Sequence, residues 1–344
     1  LAGFADVPQT KVMVFYPDGG VSPVQRAQMV TQAGKNVKVC AVRGNFDDCQ
    51  SGVKRAFAAL NESDALAAAG CSLSSANSIN IGRLIPQAAY YVFAYTRLLK
   101  EGKIADGEEV NFTVPTGNFG NILAGYYASR IGIPVKRFIC ASNENKVLYD
   151  FFENGVYDKN REFILTSSPS MDILISSNLE RLIYEIAGGD DAKCRMLMES
   201  LKITGKYEID EEMKKRLLRF TGGYATEEMV SERICEVFSD TGYVMDTHTG
   251  VASAVYREYL KNTGDPAKNI IVSTASPFKF TRSVMEAIEG GKEDADDFEL
   301  IDRLSMITKL AVPAAVSEIR SAPVLHDTVC DKDKMKEEVA AFLK

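Results

Sequence analysis

Short apolar runs and longer amphipathic stretches alternate along most of this chain. Residues 11–16 form an apolar run that predicts a strand, and Ser22-Pro23 then opens a helix with a hydroxyl cap and a proline in its first turn. Gly34 is expected to end that helix. A second strand is predicted over 37–42 and a second helix from about 48 to 60. The pattern continues with a long helix over 83–100, a strand over 110–114, a helix over 122–130, a strand over 137–141 and a helix over 147–153. Strands that alternate with helices in this way predict parallel β-α-β units and an α/β fold.

The pattern changes between 170 and 240. Strand signals fade, charges rise, and helical spacing persists through Leu179-Leu182-Ile183, Met213-Leu217-Leu218 and Met229-Ile234-Val237. A helical insertion over about 170–245 is the expectation. A helix over 251–261, a strand over 269–274 and a helix near 282–288 follow, and Gly290-Gly291 with the acidic run 293–297 predicts an exposed loop.

Composition narrows the function classes. The 344 residues are 46% hydrophobic and 25% charged, as in ordinary globular proteins. A net charge of -7 without a basic stripe argues against a nucleic-acid partner. Lys214-Lys215-Arg216 reads as a solvated helix face. The seven cysteines are scattered, odd in number and without a C-x-x-C pair, a pattern of reduced intracellular thiols. No apolar run is long enough to span a membrane, and the two histidines offer no metal-ligand spacing. A cytoplasmic protein with no structural metal and no membrane partner is expected. Leu1-Ala2-Gly3-Phe4-Ala5 reads like the tail of a helix, with Asp6-Val7-Pro8 as its exit, so a fragment lacking earlier strands and helices is also expected.

Chemistry concentrates in a few segments. Val114-Pro115-Thr116-Gly117-Asn118-Phe119-Gly120-Asn121 joins a strand to a helix through a glycine-rich turn. Such a turn brings backbone N–H groups and a helix N-terminus to one point, which suits a phosphate dianion. The spacing is neither that of the dinucleotide fingerprint nor that of the lysine-bearing P-loop. Taken alone, an ordinary tight turn with an Asn cap is equally consistent. Ser75-Ala76-Asn77-Ser78-Ile79-Asn80-Ile81-Gly82-Arg83 offers hydroxyls, amides and a guanidinium at a helix start, either a second oxyanion site or a capped helix terminus. Ser273-Thr274-Ala275-Ser276-Pro277-Phe278-Lys279-Phe280 lies at the carboxyl end of a strand, where open α/β sheets bind ligands and a hydroxyl could meet a heteroaromatic nitrogen. Asp246-Thr247-His248-Thr249-Gly250 reads as a helix cap or as an acid–base pair. Cys140-Ala141-Ser142-Asn143-Glu144-Asn145 reads as a loop that orders a neighbouring site. Two anion-directed segments without a P-loop lysine suggest a phosphorylated cofactor, a phosphorylated substrate, or both.

Together these segments resemble threonine synthase, a family of pyridoxal-phosphate enzymes with the tryptophan-synthase-β-like fold (fold type II). The resemblance spans the chain, from F-Y-P near Tyr16, V-S-P-V-Q near Ser22 and G-N-F-D-D-C-Q from Gly44 to S-A-N-S-I-N-I-G-R from Ser75. It continues through P-T-G-N-F-G-N from Pro115, D-T-H-T-G from Asp246 and S-T-A-S-P-F-K-F from Ser273. It implies two domains, the remainder of a smaller α/β domain over 1–77 and a large cofactor-binding domain over 78–344. Gly117, Asn118, Phe119, Gly120 and Asn121 would cup the phosphate of pyridoxal 5′-phosphate, and Thr274 would bond the pyridine nitrogen. Ser78, Asn80 and Arg83 would face the phosphate or carboxylate of the substrate, and His248 would lie near the active site. The implied reaction converts O-phospho-L-homoserine and water into L-threonine and phosphate, with the cofactor stabilising carbanionic character.

The chain departs from the family in one place. The Schiff-base lysine belongs to a segment like H-G-P-T-x-A-F-K-D, and a ring-contacting segment is like T-S-G-D-T-G; neither occurs here, and the resemblance implies that both lie upstream of Leu1. Lys11, Lys54 and Lys279 have no matching context, so no catalytic residue is nominated and the chain is expected to be inactive alone. Two alternatives stand beside this reading: a non-catalytic paralogue that binds a phosphorylated ligand, and a related serine/threonine dehydratase. The segment S-A-N-S-I-N disfavours the dehydratase.

Overall fold

The computed structural model describes residues 1–74 and 76–343; Ser75, the first residue of the polar motif, and Lys344 lie outside the described residues. The strands are β1 (Val12–Pro17), β2 (Val37–Arg43), β3 (Val110–Pro115), β4 (Val135–Ser142), β5 (Val156–Asp158), β6 (Lys206–Glu208), β7 (Phe220–Tyr224), β8 (Asn269–Ile271) and β9 (Val329–Asp331). The chain divides into two compact units, Leu1–Ser74 with Asp294–Lys344, and Ser75–Glu293.

The first unit is built on a parallel sheet of order β1-β2-β9. The helix Pro23–Val30 starts as expected: Gln25 N donates to Ser22 Oγ, Ser22 N donates to Gln25 Oε1, and Pro23 occupies the first turn. It stops at Val30, ahead of Gly34. The helix Phe46–Asn61 has a second reciprocal cap between Asn45 and Asp48. Residues 294–344, expected in the larger domain, return to this unit instead. β9 pairs with β2 from Ala41↔Val329 to Arg43↔Asp331, and the buried Cys330 and Met335 join Cys40, Val42 and Cys49 in one apolar cluster. β9 is only three residues long, and its outer two are exposed, so its apolar periodicity is too short to announce a strand.

The second unit is centred on a parallel sheet of order β7-β4-β3-β8. Every residue of β3 is buried, as befits a strand covered on both faces. Val110, Phe112 and Val114 join the core formed with Tyr91, Ile122, Leu123 and Phe138. The alternate residues Asn111 and Thr113 bond Asp265 Oδ2 (3.0 Å) and Asn269 Oδ1 (2.9 Å). The helix predicted over 83–100 is divided: Ile81–Leu84, a 3-10 turn Ile85–Gln87, then Ala88–Lys100. Pro86, within that turn, has no N–H with which to continue an α-helical ladder.

The stretch 170–245 carries the expected helices, Leu179–Ile186, Asp191–Thr204, Glu211–Arg216 and Glu227–Thr241, but it is not a purely helical insertion. β7 lies within it and pairs with β4 in the main sheet, from Phe138↔Phe220 to Ser142↔Tyr224. Its sequence, Phe-Thr-Gly-Gly-Tyr, has low strand propensity because packing selects the glycines. A Cβ at Gly222 would sit 3.0 Å from Tyr149 Cα, and one at Gly223 would sit 2.4 Å from Val255 Cγ1. β6 forms a separate antiparallel pair with β5.

Candidate anion-binding site

All four strands of the main sheet run the same way, so the segments after β3, β4, β7 and β8 emerge at one edge. That carboxyl edge is where an open parallel sheet places its ligands. The glycine loop follows β3, and the segment bearing Thr274 follows β8. Val272 N donates to Thr113 O at 2.9 Å, which carries the pairing with β3 one residue beyond β8.

In the loop, Thr116 closes the strand: its N–H donates to Ala141 O (2.9 Å) and its hydroxyl to Val114 O (2.7 Å). Phe119 then adopts φ +64°, a left-handed conformation uncommon for an aromatic residue, and caps the helix Gly120–Arg130. Its ring secures that conformation, being 1% exposed and 6.1 Å, centroid to centroid, from both Phe152 and Phe220.

The carbonyls of the loop point inward and are held there. Ser176 Oγ donates to Gly117 O at 2.7 Å, and Asn178 donates to Asn118 O through its backbone N (3.1 Å) and through Nδ2 (2.9 Å). A trans peptide carries its C=O and the following N–H on opposite sides. Fixing Gly117 O and Asn118 O therefore turns the N–H groups of Asn118 and Phe119 away from the protein. The N–H groups of Asn118, Phe119, Gly120 and Asn121 meet no acceptor among the described residues. Unpaired N–H donors at a helix N-terminus suit a phosphate dianion.

Gly117 is required by a close approach: a Cβ there would lie 2.4 Å from Ser170 O and 3.2 Å from Met171 Cα. The segment it rests on is itself fixed. Asn143 Nδ2 donates to Asp172 Oδ1 (2.7 Å) and Ser168 Oγ (3.1 Å), and Asn145 Nδ2 donates to Ile164 O (2.7 Å). The Asn143-Glu144-Asn145 run thus orders the floor of the site, as its place at the end of a strand suggested.

The segment containing Ser78, Asn80 and Arg83 lies beside the loop. Ser78 O is 3.9 Å from the Cβ position of Gly120, and Asn178 Nδ2 also donates to Ser78 O at 3.1 Å. Asn80 caps the short helix, its Oδ1 accepting from Gly82 N at 2.8 Å, and Arg83 NH1 donates to Ala76 O. The capping expected of this segment is present, and it places Ser78 next to the glycine loop. Asn121 Nδ2 donates to Gln87 Oε1 (3.1 Å), and Tyr91 donates its hydroxyl to Asn121 O (2.9 Å). Thr274 is exposed, and its hydroxyl has no partner among the described residues.

His248 is buried and both ring nitrogens are committed. Nε2 accepts from Ser170 N at 3.2 Å, which makes Nδ1 the protonated nitrogen facing Asp246 Oδ1 at 3.2 Å. Burial alone would raise the Asp246 carboxyl; hydrogen bonds from His248 and Thr249 hold it below its usual value. Asp246 also caps the helix Thr247–Thr263 through His248 N. His248 therefore braces the 168–171 segment beneath Gly117, and it presents no free nitrogen for proton transfer.

Nothing in the residue pattern pointed to Ser176, Ser177 and Asn178, which lie in the stretch read as helical. The one available signal was a polar Ser-Ser-Asn run directly before an amphipathic helix. A cavity of about 420 Å³ in the same unit is lined by Ser167, Glu227, Thr247, Ser283, Glu286 and Lys292, and the loop residues do not line it.

Comparison with known proteins bears on this geometry. The family described as "Threonine synthase, C-terminal" matches residues 249–330. Threonine synthase-like 1 of Homo sapiens is 39% identical over 290 residues, which is 83% of this chain and 38% of that protein. Threonine synthase of Saccharomyces cerevisiae is 36% identical over 305 residues, 84% of this chain and 57% of that protein. The structure of a threonine synthase from Brucella melitensis, described as bound to PLP, superposes with a TM-score of 0.83 at 35% identity. That match covers 99% of this chain and 67% of the Brucella chain. The chain thus spans about two fifths of the threonine synthase-like 1 relatives and over half of the yeast enzyme.

Proposed function

The chain belongs to the threonine synthase family, and from that premise we propose that it serves the pyridoxal-phosphate-dependent conversion of O-phospho-L-homoserine and water into L-threonine and phosphate. The observation that carries this reading is the glycine loop: Ser176 and Asn178 hold two of its carbonyls inward and so turn the N–H groups of Asn118 and Phe119 outward, beside the free first-turn N–H groups of Gly120 and Asn121. A cofactor phosphate fits those donors in charge and geometry. When bound, pyridoxal phosphate supplies the electron sink that lets phosphate leave and water add on neighbouring carbons.

The chain's own residues position and discriminate. Gly117 to Asn121 seat the cofactor phosphate. Thr274, whose exposed hydroxyl lies on the same sheet edge, would serve as a neutral partner for the ring nitrogen. A hydroxyl does not hold that nitrogen protonated, so it tempers the sink where a carboxylate would strengthen it. Ser78, whose carbonyl lies beside Gly120, and Asn80 and Arg83, which follow it in the same segment, would receive the anionic groups of the substrate. His248 acts at one remove, through Ser170, on the bed of the loop.

No lysine in this sequence has the context of the family's anchoring lysine, so ligand binding without turnover is the expected behaviour of this chain alone. Titration with pyridoxal 5′-phosphate and with pyridoxal, followed by an assay of phosphate release from O-phospho-L-homoserine, tests the reading. Preference for the phosphorylated vitamer and for phosphohomoserine over threonine as ligand supports it. Equal affinity for both vitamers refutes the phosphate cup, and preference for threonine moves the assignment to a dehydratase.

A further inference from the structure

Asn178 lies at a junction that the proposed reaction does not by itself require. The residue is fully buried. Its Nδ2 donates to Asn118 O at 2.9 Å and to Ser78 O at 3.1 Å, while its backbone N also donates to Asn118 O at 3.1 Å. Its Oδ1 accepts from Arg181 Nε at 3.3 Å, and Arg181 NH2 donates to Ile79 O at 3.0 Å. One amide therefore touches both the glycine loop and the Ser78 segment, two pieces of chain separated by about forty residues, and a guanidinium holds that amide in place.

We propose that Asn178 is a positioning residue that fixes the cofactor-phosphate loop and the substrate-side segment at one separation, so that the two anion sites are set together. The inference rests on the reading of the loop as a phosphate cup. The physical requirement is a single side chain with two donor hydrogens and one acceptor, all used here: two hydrogens for two carbonyls, one oxygen for Arg181. Aspartate has the same shape but places a carboxylate against two carbonyl oxygens. Alanine leaves both carbonyls, and Arg181 Nε, without that partner. In either case the peptide plane between Asn118 and Phe119 keeps only the Asn178 backbone N–H to orient it. Ser176 makes a useful contrast, because its hydroxyl holds Gly117 O and, among the described residues, it makes no bond to the Ser78 segment.

The test uses the whole chain, with pyridoxal 5′-phosphate and pyridoxal as probes and hydrogen–deuterium exchange as a second readout. Asn178→Ala is expected to lower the preference for pyridoxal phosphate over pyridoxal about tenfold. It should also speed exchange in 77–83, where Asn80 N and Arg83 N are hydrogen-bonded. Ser176→Ala is expected to reduce the same preference and leave exchange in 77–83 unchanged. General loosening of the fold would move affinity for both vitamers together and would leave their ratio unchanged. If the unaltered chain prefers the phosphorylated vitamer while Asn178→Ala keeps that preference, or leaves exchange in 77–83 at its original rate, the positioning role is wrong and the phosphate reading stands. If the unaltered chain shows no preference, the phosphate reading fails and takes this inference with it. Should Asn178→Ala not fold, Asn178→Ser, which is smaller and cannot reach both carbonyls, is read by the same two measures.

Discussion

Replacing Gly117 with alanine isolates one physical requirement of the site, because the backbone there does not need a positive φ. Only space is at issue. The added Cβ would lie 2.4 Å from Ser170 O, against about 3.4 Å for ordinary contact, so the two segments must part by about 1 Å. Neither yields easily. Ser170 N is bonded to His248, Met171 N donates to Ser168 O at 2.8 Å, and Ser167 O accepts from Thr247 Oγ1 at 2.8 Å. On the loop side, Gly117 O is tied to Ser176. Forcing an extra carbon into such packing costs about 1–3 kcal/mol, which lowers the melting temperature by roughly 2–10 °C for a unit of this size. Calorimetry reads the first effect, and titration with pyridoxal phosphate reads the displacement of the loop. Gly120→Ala is the internal comparison. Its Cβ would meet nothing nearer than Asn178 Nδ2 at 3.5 Å, so its stability should stay within about 0.5 kcal/mol of the original. Equal melting of the original chain and Gly117→Ala, or equal losses in the two variants, would refute the reasoning.

Three further outcomes follow from other parts of the second unit and from the cysteines. His248→Ala removes the acceptor for Ser170 N and the ring partner of Asp246, and should destabilise by about 1–3 kcal/mol while weakening pyridoxal phosphate more than pyridoxal; unchanged melting would show that the brace carries no weight. Burial would raise the Asp265 carboxyl, but bonds from Lys136, Ala267 N, Asn111 and Tyr259 hold it well below the usual carboxylate range. A depressed folded value means stability is present above the unfolded value near pH 4 and lost as pH falls toward the folded one, so denaturant melts should weaken below about pH 4. Asp265→Asn should flatten that dependence, and an unchanged slope would assign it elsewhere. Burial pushes the thiols of Cys40 and Cys140 up to about 12, whereas Cys71 is exposed. At pH 8 an aromatic disulfide reagent should modify Cys71 in the native chain and reach Cys40 and Cys140 only on unfolding; early labelling of either buried thiol would contradict the core as described.

The sequence alone carried the strand–helix alternation, the cap at Ser22, the parallel α/β class and the glycine loop. These are local matters: a hydroxyl or amide bonds an N–H two or three residues on, and a buried strand is mostly apolar, with any polar side chain hydrogen-bonded. Motif matching added the family and nominated residues for the site. Three features came only from the folded chain. β7 is two-fifths glycine and β9 is three residues long, so neither carries a strand signal; each exists because a neighbouring strand and its packing select it. His248 was open between cap and acid–base group until Ser170 N and Asp246 were seen to take both nitrogens. The orientation of the loop's N–H groups depends on Ser176 and Asn178, almost sixty residues away, because a peptide plane is turned by whatever holds its carbonyl. A sequence shows which groups are able to hydrogen-bond, whereas which carbonyl each one reaches is decided only when distant segments are brought within 3 Å.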